Sequence, residues 1–91
     1  MKKSVRLYIT GTVQGIFFRQ FVKDNAERSN VRGFVRNLED GRVEVFIEGD
    51  NENVDKMVEW CHIGPPAARV KEVLMEEETY IGEFTDFTII Y

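Results

Sequence analysis

The segment Gly11-Thr12-Val13-Gln14-Gly15-Ile16-Phe17-Phe18-Arg19 lies between a strand-like and a helix-like pattern, and its residue types suit the binding of a small anion. Backbone N–H groups in the first turn of a helix have no intrahelical partner, and the helix dipole adds partial positive charge there. A glycine at 15 lets the backbone curl and approach a ligand closely. The expected product is a concave set of amide donors matched to phosphate. Arg19, at the helix start, adds a planar fork of charged donors to the same anion. The plainer reading makes the glycines ordinary turn residues and Arg19 a solvated side chain. The segment is not a Walker A loop, because it lacks the Gly-Lys-Ser/Thr ending, nor is it Gly-x-Gly-x-x-Gly.

The second candidate is Asn37, within Gly33-Phe34-Val35-Arg36-Asn37-Leu38-Glu39-Asp40-Gly41-Arg42-Val43. A side-chain amide both donates and accepts hydrogen bonds without titrating, so it can hold a water in one orientation. Asparagine just before a turn also commonly caps its own backbone. This segment alone leaves both roles open.

These residues are positioned by elements that the hydrophobic pattern predicts. Val5, Leu7 and Ile9 alternate with Arg6, Tyr8 and Thr10, which makes residues 5–10 a half-buried strand. From Phe18 the period changes, and Phe18, Phe21, Val22 and Ala26 form the stripe of a helix, with Asn30 suited to its C-terminal cap. Val31–Leu38 reads as a second strand and Glu39-Asp40-Gly41 as a tight turn. The third strand turns Val43, Val45 and Ile47 inward and Glu44 and Glu48 outward, so 31–49 is a β-hairpin. Gly49-Asp50-Asn51 supplies a stop and a helix cap, Val54, Met57, Val58 and Cys61 a second helical stripe, and Gly64-Pro65-Pro66 its end. Val70–Glu76 and the β-forming tail Phe84–Tyr91 complete the chain. The order β-α-β-β-α-β plus a C-terminal strand predicts an α+β fold. It is a ferredoxin-like split β-α-β sandwich, with two helices on one face of a mainly antiparallel sheet.

Length and composition bound the possibilities. The 91 residues are expected to form a single domain, 1–91, with 43% hydrophobic and 31% charged residues, as in ordinary globular chains. No apolar run approaches the roughly 18–20 residues of a membrane span, and the alternation after Met1-Lys2-Lys3-Ser4 is unlike a signal peptide. The one cysteine, Cys61, fits a reducing compartment, so a cytoplasmic location is expected. A net charge of −4 argues against field-driven binding to nucleic acid or anionic membrane. A bound anion must therefore be gripped locally.

Taken together, the two segments resemble the paired signatures of the acylphosphatase family. Gly11 through Arg19 is similar to its G-x-V-Q-G-V-x-F-R pattern, with Ile16 in place of the usual valine. Gly33 through Val43, with Gly49 after it, is similar to its G-aromatic-V-basic-N-x-x-x-G-x-V pattern, and the resemblance covers essentially the whole chain. It implies a metal-independent hydrolase that splits acyl phosphates into a carboxylate and inorganic phosphate. The family's catalytic arginine maps to Arg19, its water-positioning asparagine to Asn37, and its phosphate-binding amides to Gly15, Ile16, Phe17, Phe18 and Arg19. No cofactor is implied, and the expected partners are a small acyl phosphate and its phosphate product, with a monomeric chain. In some members of the family the C-terminal end packs near the arginine, which here points to Tyr91. The chemistry is consistent: a carboxylate leaving group needs no general acid, and phosphoryl transfer needs mostly positioning and charge stabilisation.

Two rival readings follow from the same residues. RNA-recognition domains share the element order, and Arg32-Gly33-Phe34-Val35 echoes their aromatic motif. That motif belongs on the third strand, where this chain has Phe46 between Glu44 and Glu48. The other rival is a non-catalytic anion sensor, against which stands Asn37, a group that a sensor does not need. The lone His62, Cys61 and Trp60 read as structural residues around the second helix.

Overall fold

The computed structural model describes residues 1–15 and 17–91. Its elements in chain order are β1 (Lys2–Thr12), α1 (Phe18–Arg28), β2 (Arg32–Asn37), β3 (Val43–Asp50), α2 (Asn51–Ile63), β4 (Arg69–Glu78) and β5 (Phe87–Ile90). The sheet runs in the order β4-β1-β3-β2-β5. β1 pairs antiparallel with β3 and β4, β2 antiparallel with β3, and β5 joins β2 in parallel. The ferredoxin-like arrangement is thus realised, with β5 as a fifth strand.

The alternating residues do what their period dictates. Val5, Leu7 and Ile9 meet Val43, Val45 and Ile47 across the β1–β3 pair, and all six are fully buried. Phe18, Val22 and Ala26 of α1 and Val54, Met57 and Cys61 of α2 close over that face in one core. Burying such side chains contributes about 1.5–3 kcal/mol each. α1 ends in a Schellman turn: Asn30 takes a left-handed φ of 56°, its N–H donates to Glu27 O, and the Val31 N–H donates to Ala26 O.

The opposite sheet face departs from expectation. Glu44 and Glu48 do point away from the helices, but they are buried, as is Phe46 between them. A segment following β4 crosses this face, and its Phe84 packs against Phe34 and Phe46 with ring centroids 5.8 and 5.4 Å apart. The Phe84 N–H donates to Glu48 Oε1 at 2.9 Å. Glu44 is held between two guanidiniums, accepting 2.5 Å bonds from Arg6 Nη1 and Arg36 Nε. A buried carboxylate is tolerated only when paired in this way. Arg6 also binds Glu78, which with Glu44 holds its proton more tightly than usual.

Helix α2 starts after Asp50, as the pattern predicts, but the Asp50 side chain makes no cap bond. It pairs instead with Lys2 Nζ at 3.1 Å. Cys61 is fully buried, and burial pushes its thiol up to about 12. His62 is exposed, with Nδ1 3.0 Å from Val58 O. Both therefore sit as structural residues. No helix among the described residues is long and apolar enough to cross a membrane.

Candidate active site

The loop begins where β1 lies tightly against the start of β4. A Cβ at Gly11 would stand 2.0 Å from Arg69 O, so only glycine fits there. Gly15 has open space around it but a φ of +73°, so its requirement is conformational. Phe17, directly before α1, is also left-handed, with φ 60° and ψ 23°. For a bulky residue that conformation costs roughly 1–2 kcal/mol. A left-handed residue followed by a right-handed helix turns successive amides towards one side, the geometry of an anion nest.

The helix supplies the rest of the cradle. Its first internal bond runs from the Phe21 N–H to Phe17 O, which leaves the amides of Phe18, Arg19 and Gln20 without intrahelical partners. No acidic residue lies in the first turn to compete for them. The Phe18 ring is buried in the core, which anchors this helix end. Arg19 is half-buried and makes no ion pair among the described residues. Its guanidinium carbon sits 4.7 Å from the ring centroid of Tyr91.

Asn37 closes β2, opposite Val43 in the hairpin register. Its Oδ1 is buried with no hydrogen-bond partner among the described residues, so it does not cap its own backbone. The hairpin turn beyond it is held by the Leu38 N–H donating to Arg42 O at 2.8 Å. The side-chain amide of Gln14 then donates to Leu38 O at 2.8 Å and to Arg42 O at 2.9 Å. The loop and the hairpin are thereby tied together next to Asn37.

One pocket of about 450 Å³ gathers these groups, lined by Gly15, Phe17, Phe18, Arg19 and Asn37 together with Val13, Gln20, Ile89 and Tyr91. Five of the six site residues expected from sequence therefore share one cavity, and the sixth, Ile16, lies outside the described residues. Sequence reasoning assigned no role to Gln14. Its type and place in the loop were visible, but its partners, 24 and 28 residues away, were not. The parallel pairing of β5 with β2 is what brings Ile89 and Tyr91 to the rim. Among the described residues, no three histidine, cysteine, aspartate or glutamate side chains cluster as metal ligands would.

A ferredoxin-like sandwich in which one pocket gathers Arg19, with no ion pair among the described residues, and a buried Asn37 Oδ1, with no hydrogen-bond partner among them, defines a small α+β protein with the geometry that suits an anion. Comparison with known proteins narrows the class. The model of the Acylphosphatase family matches residues 5–89. An acylphosphatase of Pyrobaculum islandicum is 55% identical over 85 residues, covering 92% of this chain and 90% of its own. One from Rubrobacter xylanophilus is 52% identical over 87 residues, covering 96% of this chain and 79% of its own. The crystal structure of acylphosphatase from Bacillus subtilis superposes with a TM-score of 0.94 at 33% identity, each chain covered in full. The chain belongs to the acylphosphatase family.

Proposed function

We propose that this chain is an acylphosphatase whose reaction runs in the pocket between the α1 N-terminus and the end of β2. The amides of Gly15 through Arg19, Ile16 included, hold the phosphoryl oxygens of an acyl phosphate, and the Arg19 fork neutralises their charge. Asn37 Oδ1 accepts a hydrogen bond from a water and turns its lone pair towards phosphorus. The water oxygen attacks phosphorus and the bond from phosphorus to the acyl oxygen breaks. The carboxylate leaves with the bonding pair, and the water's proton passes to a phosphate oxygen. A weakly basic carboxylate departs without a general acid, so positioning and charge stabilisation suffice. The products are a carboxylate and inorganic phosphate.

The observation that carries this reading is the buried Oδ1 of Asn37, without a hydrogen-bond partner among the described residues, in the same pocket as Arg19. A sensor that only binds phosphate needs the loop and the arginine but has no use for a buried, unpartnered amide oxygen. The reading further includes residues 1–91 as one domain acting as a cytoplasmic monomer without cofactor, metal, nucleic acid or membrane. The net charge of −4 supports that last part, because it disfavours polyanionic partners. The test is hydrolysis of benzoyl phosphate by purified protein with a chelator present. Turnover well above the spontaneous rate is expected, and none above it contradicts the enzyme reading.

A further inference from the structure

We propose that Phe17 is a specificity residue whose ring seats the acyl group, so that the site favours acyl phosphates with flat apolar acyl groups. The inference rests on the reading above and names the substrate class for the same pocket. Phe17 is 86% exposed, the most exposed phenylalanine ring in the described chain, yet it belongs to the loop that lines the cavity. Its left-handed backbone is strained for a bulky residue, and packing against the core does not offset that cost. The ring takes part in no aromatic pair among the described residues, whereas the Phe18 ring pairs with Phe21 and Phe21 with Trp60.

The reaction geometry places the acyl group at this ring. A phosphoryl group has four heavy atoms and fills only part of a cavity of about 450 Å³. In-line attack puts the leaving oxygen opposite the water, hence away from Asn37. The acyl carbon is one bond beyond that oxygen, at the rim. There the apolar surfaces of Phe17, Ile89 and Tyr91 line the pocket, and the Tyr91 ring already covers the Arg19 guanidinium at 4.7 Å. A planar acyl group resting on Phe17 buries apolar surface on both partners, which a methyl group does to a much smaller extent.

The test compares kcat/KM for benzoyl phosphate and acetyl phosphate in the wild type, Phe17→Asn and Phe17→Tyr. Asparagine tolerates the left-handed conformation, so the loop backbone is retained while the ring is lost. Dividing each variant's benzoyl-to-acetyl ratio by that of the wild type cancels the intrinsic reactivities of the two substrates. The expected result is a ratio about fivefold lower in Phe17→Asn and preserved in Phe17→Tyr, as one aromatic contact allows. An unchanged ratio in Phe17→Asn, or an equal fall in Phe17→Tyr, overturns the seat while leaving the acylphosphatase reading intact. A wild type that hydrolyses neither substrate overturns that reading and the seat with it.

Discussion

The side-chain amide of Gln14 donates a 2.8 Å hydrogen bond to the main-chain oxygen of Leu38, the residue that follows Asn37. Through it, and through the companion bond to Arg42 O, the phosphate loop and the hairpin are held in one geometry. In the proposed reaction, the distance between a phosphorus on the loop and a water on Asn37 therefore depends on Gln14. Small misplacements of that kind lower turnover steeply.

Gln14→Met keeps the bulk of the side chain and removes both donors. Losing two side-chain hydrogen bonds, while Leu38 O keeps the Gly41 N–H and Arg42 O the Leu38 N–H, should cost about 1–3 kcal/mol of stability, read from urea unfolding. The kcat should fall roughly tenfold, and Gln14→Met combined with Asn37→Ala should be no slower than Asn37→Ala alone, because the two act through one water. Additive losses would show that Gln14 acts elsewhere.

Arg19→Lys retains a positive charge but loses the planar fork, and it loses the stacking on Tyr91 that the guanidinium makes. Turnover should fall by about 10²–10³, the usual cost of removing an aimed donor from a transition state. Inorganic phosphate should also inhibit more weakly. Arg19→Ala should lose both phosphate affinity and turnover, and wild-type inhibition by phosphate in either variant would remove Arg19 from the cradle.

Phe84→Ala separates the fold from the site. The ring lies against Phe34 and Phe46 on the sheet face opposite the helices, with its own N–H on Glu48. Truncation should cost about 3 kcal/mol, measured by denaturant unfolding, with kcat for benzoyl phosphate unchanged. A fall in kcat at retained stability would tie this segment to the site.

Cys61 gives a pH prediction. Its thiol is pushed up to about 12 by burial, above the ordinary thiol range. Below that range both folded and unfolded chains keep the proton, so the group is neutral to stability. As the pH rises past it, the unfolded chain ionises first and stability falls progressively towards pH 12. A thiol reagent at pH 8 should label the protein only in urea, and Cys61→Ala should flatten the alkaline loss of stability. Rapid labelling of the native protein would contradict the burial.

Much of this was legible in the sequence, for identifiable reasons. Phe18, Val22 and Ala26 follow the helical period, and Asn30 sits at the left-handed position that a helix end needs, so α1 could be read from local pattern. The same holds for the hairpin around Asp40-Gly41. Glu44 and Glu48 look like a solvated strand face because nothing local announces that Phe84, 36 residues beyond Glu48, will cover it. Asp50 has the residue type of a cap, but Lys2 is near enough to take its carboxylate. In the site, Arg19 and Asn37 could be nominated by type and place, whereas the link through Gln14 exists only once the strands have paired.

The most direct test of the account is the Asn37→Ala variant, with kcat for benzoyl phosphate and the inhibition constant for inorganic phosphate measured on the same preparation. Asn37 is proposed to hold the water and not the phosphoryl group. The account predicts a kcat lower by about 10²–10³ with phosphate inhibition close to that of the wild type. Weakened phosphate inhibition with turnover preserved would contradict it.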